Sequence, residues 1–174
     1  MSGQARYPSM DARLRELGIE LPPPFQYPNP NRTGCVQVGV MLYCSGHPPA
    51  ADATGRFPAG KIGSTFDESQ GYAYARSAAL LLLSSVHQMF GTLDCVRRVV
   101  KVTGLVNTAP GFERAFAVVD GASDLYFQIW GNPMGCHART AYGVAELPRN
   151  FPIEVEAMFE LYAERPNRQE AALR

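Results

Sequence analysis

The chain of 174 residues is 46% hydrophobic and 18% charged, with 16 Lys+Arg balanced by 16 Asp+Glu. That composition excludes a disordered chain and provides enough apolar residues for one globular domain over residues 1–174. Zero formal charge argues against broad nucleic-acid binding, which needs basic surface to displace counterions, and leaves room for a local basic pocket.

Residues 1–24 read as an N-terminal arm. Met1–Met10 is polar and has no apolar signal-like run. Asp11 is positioned to cap a short helix, Ala12–Leu17, that stops at Gly18. Leu21–Pro30 follows with five prolines around Phe25 and Tyr27, an extended stretch suited to packing on the domain or on a neighbouring subunit. Cys35–Ser45 is rich in β-formers, and Gly39 in its middle predicts two short strands with a tight turn. Gly46–Ser64 holds three prolines and four glycines and reads as a long loop, a kind that is often functional.

Thr65-Phe66-Asp67-Glu68 has capping-box spacing and predicts a helix running to about Phe90, ended by Gly91. Ala75, Ala79, Leu82, Leu83, Val86 and Phe90 mark its buried face, with Arg76 and Gln88 off it. The longest apolar run, Ala78–Leu83, is far short of the ~20 residues a membrane span needs, so a cytoplasmic protein without membrane contact is expected. Val96–Val106 predicts a strand with Val100 and Val102 on one face and Lys101 on the other. Thr108-Ala109-Pro110 predicts the start of a second helix, interrupted near Gly121 and resumed through Ala122–Trp130.

Asn132–Gly135 reads as a turn, Ala138–Leu147 as a strand, and Pro148 with Asn150 as another turn. Ile153–Leu161 alternates with period two: Ile153, Val155, Ala157, Phe159 and Leu161 face the core, while Glu154, Glu156, Met158 and Glu160 face away. The polar tail, residues 165–174, is expected to be flexible. This order of elements predicts an α+β fold, a mixed β-sheet with two helices packed on one face.

Several residues carry candidate chemistry. Arg139 begins a strand after a glycine-containing turn, and its planar fork suits a carboxylate; a structural salt bridge is the alternative. Glu154 and Glu156 share a strand face where either could hold a water, as a general base or by hydrogen bonding; a solvated or interfacial face is the alternative. His137 stands two residues before Arg139, on the same side of an extended chain, and could donate or shuttle a proton; a capping or surface histidine is the alternative. Cys136-His137 lacks the ligand count of a zinc site, and no lysine stands out as a Schiff-base former. No phosphate-cradling P-loop and no Ser-His-Asp order is present. The four cysteines, Cys35, Cys44, Cys95 and Cys136, form no CxxC pair and read as free thiols.

His137-Ala138-Arg139-Thr140, Gly143-Val144-Ala145-Glu146-Leu147-Pro148 and Ile153-Glu154-Val155-Glu156-Ala157 together resemble the C-terminal signature of the RidA (reactive intermediate deaminase, or YjgF) family. That signature has an Ala-Arg-Ser/Thr start, a Leu-Pro turn and a Glu-x-Glu-Ala strand. Tyr43-Cys44-Ser45-Gly46 is similar to the family's Ser-Gly strand end, and Asp94–Lys101 to its strand after the long helix; the likeness covers about Val36 to Leu161.

The resemblance implies a chorismate-mutase-like fold and a homotrimer with ligand clefts between subunits. It implies hydrolysis of reactive enamines and imines to 2-keto acids and ammonia. No metal or organic cofactor is needed, because an imine carbon is already electrophilic. By the same resemblance Arg139 binds the substrate carboxylate, Glu154 helps to place water and Ser45 lines the cleft. Asp120 falls near a position where the archetype carries asparagine. The family's cleft tyrosine is matched by Arg32, its cysteine two residues past the arginine by Ala141, and the proline before its Ala-Arg step by His137. These departures mark a divergent branch.

The expected partner is a small carboxylate-bearing metabolite and not nucleic acid. Two other readings remain open. One is a non-catalytic binding or sensor protein using the same cleft. The other is an endoribonuclease, an activity of some family members, against which the neutral charge counts.

Overall fold

The computed structural model describes residues 9–162. Residues 1–8 of the polar start and the predicted flexible tail, residues 165–174, lie outside the described residues. Five strands form one sheet: β1 (Cys35–Val38), β2 (Met41–His47), β3 (Val96–Asn107), β4 (Ala138–Val144) and β5 (Ile153–Leu161). Three helices accompany it: α1 (Met10–Glu16), α2 (Glu68–Phe90) and α3 (Ala115–Trp130).

The strand order is β1-β2-β5-β3-β4, antiparallel throughout except for the parallel β3–β4 pair. The last strand in sequence, β5, therefore inserts between β2 and β3. Parallel neighbours cannot be joined by a tight turn, and α3 supplies the long crossover between β3 and β4. Helix α2 packs on β2 and β5, α3 packs on β3 and β4, and the two helices pack on each other. This is the predicted α+β arrangement, with both helices on one face of a mixed sheet.

The period-two pattern of β5 is realised in full. Ile153, Val155, Ala157, Phe159 and Leu161 are buried beneath the helices, while the intervening residues are half-buried on the other face. No helix covers that second face among the described residues. It carries Val36 beside Tyr43, and Tyr142 further along, each about half exposed. All four cysteines are free thiols, and Cys44 is buried as a small apolar residue.

Local expectations needed correction where tertiary contacts compete with local signals. Ser9, not Asp11, caps α1, accepting from Ala12 N at 3.1 Å. Asp11 instead accepts from Thr92 Oγ1 at 2.5 Å and Leu93 N at 2.9 Å, while Asp94 accepts from Met10 N at 2.7 Å. The two carboxylates thus tie α1 to the α2–β3 connection. The capping box of α2 lies two residues later than predicted, with Asp67 and Gln70 exchanging side-chain and backbone bonds at 2.7 and 3.0 Å. Thr65 and Phe66 are held outside the helix because their backbone N–H groups donate to Lys61 O, both at 3.0 Å. Phe90 is only partly buried, and Met89 takes its place in the core.

In β3, Val99 pairs with Phe159 and Lys101 with Met158, leaving Val100 as the extra residue of a bulge. Val99 and Val102 consequently share the buried face and Val100 does not. Helix α3 begins at Ala115 rather than at Pro110, because Thr108 and Ala109 bridge to Ile62 of the long loop. It is continuous through Gly121: a Cβ there would sit 2.1 Å from the Tyr72 carbonyl oxygen, so the glycine is where α2 and α3 touch. The roughly 1 kcal/mol that glycine costs inside a helix is offset by that close crossing. Strand β4 ends at Val144, short of the predicted Leu147.

Candidate functional site

Five of the six sequence-derived candidates fall into two groups, and Arg32 stands apart. Arg139, Asp120 and His137 meet between α3 and the start of β4. Arg139 pairs in register with the buried Val102, so its side chain leaves the sheet on the helix-covered side, at the exposed edge strand. Its Nη1 donates to Asp120 Oδ1 and, at 3.3 Å, to Ser123 Oγ, both on α3.

Ser123 Oγ lies 3.1 Å from His137 Nε2, and His137 Nδ1 lies 2.7 Å from the Gly135 carbonyl oxygen. A carbonyl can only accept, which assigns the proton to Nδ1 and makes Nε2 an acceptor for the Ser123 hydroxyl. Every bond in the chain Asp120–Arg139–Ser123–His137 then has a donor and an acceptor. Burial lowers the His137 pKa, opposed by the Gly135 carbonyl and aided by the Arg139 charge, so the ring is neutral at neutral pH. With both ring nitrogens engaged, His137 is not available to join Cys136 in holding a metal. Among the described residues no group of three or more His, Cys, Asp or Glu side chains is placed to hold one.

Ser45 and Glu154 belong to the second group, where β2 and β5 run beneath the arm. Glu154 pairs with Leu105 and points to the face without helices, opposite to Arg139. Within one protomer the sheet therefore separates the two residues. A Cβ on Gly46 would lie 3.0 Å from Glu154 Oε2, so the glycine lets the carboxylate approach the backbone. Burial, and after it the neighbouring Glu156, push the Glu154 pKa up. Ser45 Oγ donates to the Thr33 carbonyl at 2.7 Å.

Arg32 is not the residue that meets Ser45 here. Its side chain is exposed at a groove of about 480 Å3 between the arm, β1 and α2, shared with Ser85 and Gln88. The aromatic hydroxyl reaching this group is that of Tyr27, which lies beside Ser45 and 3.4 Å from His47 Nε2. Burial raises its pKa to about 12, so the phenol stays protonated. Tyr27 and His47 escaped sequence reasoning because neither lies in a periodic segment. The one available signal was an aromatic pair, Phe25 and Tyr27, set among prolines that give the arm no reason to carry apolar rings unless they pack.

The fold and these two groups together define an α+β protein of the chorismate-mutase-like class, with a donor-bearing site at one sheet edge and a carboxylate-bearing site on the other face. The sequence model described as "YjgF/chorismate mutase-like, putative endoribonuclease" matches residues 11–164, and the chain belongs to that family. Protein TCP17 of Trypanosoma cruzi is 40% identical over 150 residues, spanning 86% of this chain and 92% of TCP17. The structure of Atu1372 from Agrobacterium tumefaciens, a protein of unknown function, is similar with a TM-score of 0.76 at 33% identity, over 88% of this chain and 94% of that one. A Shewanella oneidensis protein whose name carries the same endoribonuclease description gives 0.80 at 27% identity, over 88% and 100%. No helix among the described residues is long and apolar enough to cross a membrane.

Proposed function

We propose that this protein hydrolyses small carboxylate-bearing enamines or imines to 2-keto acids and ammonia. The cleft lies in a homotrimer, where the Arg139 group of one subunit faces the Ser45–Glu154 group of the next. The observation that carries this reading is the division of the candidates: a carboxylate-binding fork and a water-holding carboxylate lie on opposite faces of one sheet, so only assembly can bring them to one ligand. The helix-free face, with Val36, Val38, Tyr43 and Tyr142 exposed, supplies apolar surface for that assembly.

In this scheme Arg139 holds the substrate carboxylate through charge-assisted bonds, its fork steadied by Ser123 and His137. Glu154 orients a water and takes a proton from it as the water oxygen adds to the imine carbon. The nitrogen receives that proton to give a carbinolamine; its hydroxyl proton then also passes to the nitrogen, the carbon–nitrogen bond breaks, and ammonia leaves as the carbon–oxygen double bond forms. His137, neutral and within Ser123's reach, is the nearest group able to relay a proton on the donor side. The imine needs no metal or organic cofactor for this.

The test is a coupled assay. A pyridoxal-phosphate dehydratase generates 2-aminoacrylate in place, and 2-keto acid release is followed with and without this protein. Acceleration that vanishes in Arg139→Ala is the expected result; no acceleration by the folded protein rejects the activity.

One observation favours a second reading. Asp120 already occupies the Arg139 fork, which suits a binding or sensor protein that exchanges one carboxylate for another without chemistry. A ligand recovered unchanged after tight binding is its signature. The endoribonuclease description predicts salt-sensitive RNA binding, for which a chain of zero formal charge has little basic surface.

A further inference from the structure

Two of the four cysteines face each other across the edge hairpin. Cys35 of β1 is in register with Cys44 of β2, both are buried on the side that α2 covers, and their sulfurs lie 3.4 Å apart. The next pair along the ladder is joined by a backbone bond from Ser45 N to the Gly34 carbonyl at 2.9 Å. Hydrogen-bonded and non-hydrogen-bonded pairs alternate in an antiparallel ladder, so Cys35 and Cys44 form a non-hydrogen-bonded pair. The Cα atoms of such a pair stand ~4.5 Å apart, within the roughly 4.4–6.8 Å that a disulfide spans. The sulfurs can therefore close on each other by side-chain rotation, with the hairpin kept.

The two thiols differ in access. Cys35 lines the groove of about 480 Å3 between the arm, β1 and α2, and Cys44 does not. Among the described residues, Arg32 is the one charged side chain lining that groove, and it is exposed. With the amide of Gln88 beside it, the groove suits a small anionic molecule. Burial pushes the Cys44 thiol well above its usual pKa, which keeps it protonated until Cys35 has reacted. Strand β1 is a four-residue edge strand that pairs with β2 alone, and Val36 and Val38 are more than half exposed. It opens at lower cost than the central strands, which gives a reagent in the groove its way to Cys35. Cys44 directly precedes Ser45, whose hydroxyl donates to the carbonyl of Thr33, two residues before Cys35.

We propose that Cys35 and Cys44 are a redox site: a small anionic disulfide entering the groove oxidises them to a reversible disulfide that staples β1 to β2 beside Ser45. Cys35 loses its proton to solvent, and its thiolate attacks one sulfur of the small disulfide; that molecule's sulfur–sulfur bond breaks and one thiolate leaves. Cys44 then loses its proton and attacks the Cys35 sulfur, and the second thiolate leaves. Two protein thiols are oxidised by two electrons, the small disulfide is reduced to two thiols, and the two protons end on them. This chemistry is separate from the proposed hydrolysis and does not fall with it.

The full chain carrying Cys136→Ser, which removes the exposed thiol, is incubated in its folded state with excess glutathione disulfide and read by intact mass and thermal unfolding. The expected product is lighter by two hydrogens, carries no glutathione, melts roughly 5 °C higher and returns to its starting mass and Tm with dithiothreitol. In Cys44→Ala the reaction should stop at a glutathione adduct on Cys35; in Cys35→Ala neither adduct nor disulfide should form. Should Cys44→Ala not fold, Cys44→Val, which keeps the buried volume, takes its place. Arg32→Glu should slow the reaction with glutathione disulfide severalfold and leave that with the uncharged 2-hydroxyethyl disulfide unchanged. Thiols that stay reduced at equilibrium, a lasting glutathione adduct on Cys35 with Cys44 present, a loss of two hydrogens that persists in Cys35→Ala, or a disulfide that lowers Tm overturns the inference. An unchanged rate with glutathione disulfide in Arg32→Glu overturns the preference for an anionic reagent.

Discussion

The two groups of candidate residues use histidines in opposite settings, His137 half-buried and His47 wholly buried. On the α3–β4 side, His137 ends a chain of hydrogen bonds that begins at a charged pair, and every link leads back to Arg139. Beneath the arm, His47 sits among rings and hydroxyls with no cation beside it, and the only charge in the group is the Glu154 carboxylate. The contrast teaches that one kind of ring serves a chain of hydrogen bonds from a charged pair in one place and a packed aromatic setting in the other, according to the segments that close around it.

Deleting the donor side should have the largest effect. Arg139→Ala is expected to lower kcat/KM for 2-keto acid release by about 1000-fold, as loss of a bidentate charged contact implies, with unchanged circular dichroism. A small change would mean the two sides never meet on one ligand.

Acid should then separate the two histidines. The unfolded chain binds a proton at an ordinary histidine pKa of 6.5, while folded His47 binds one only near 4. Stability is thus full above pH 6.5 and drains away as pH falls toward 4, by about 3 kcal/mol. Urea unfolding at a series of pH values reads this directly, and His47→Gln should flatten the slope.

On the acceptor side, Glu154→Gln should reduce kcat by about 100-fold with little change in KM, since the carboxylate grip lies with Arg139. The same variant carries a stability signature. A carboxyl whose folded pKa is raised favours the fold in its protonated form, below its unfolded pKa, and that contribution is lost as pH rises through the folded value. Glu154→Gln should therefore unfold at higher urea than the wild type at neutral pH.

The smallest effect is also the most discriminating. Asp120→Asn releases Arg139 from a partly exposed ion pair and should tighten 2-oxo acid binding about threefold, the scale of a surface salt bridge. Weaker binding would instead make Asp120 a direct ligand contact.

The residues argue the balance between sequence and structure differently along the chain. Strand β5 was legible because period-two alternation is local, and it put Glu154 and Glu156 on one face before any pairing was known. That His137 and Arg139 lie to the same side was legible for the same reason, two residues apart on an extended chain, and both reach Ser123. Overlapping signals were harder: Thr65–Glu68 and Asp67–Gln70 both spell a capping box, and only the turn gripped by the Lys61 carbonyl selects the second. Gly121 reads as a break by propensity and is instead the point where two helices touch.

By itself, then, the sequence determined the set of elements, the buried faces of β5 and α2, and the family, because these rest on short-range periodicity and on motifs a few residues long. The tertiary structure decided which residues share a site. Arg139 and Glu154 part to opposite faces because each takes its orientation from register with β3, at Val102 and Leu105. Tyr27 rather than Arg32 reaches Ser45 because a proline-rich arm has no period from which its path can be counted. Both outcomes depend on contacts between segments distant in the chain, where local sequence exerts no constraint.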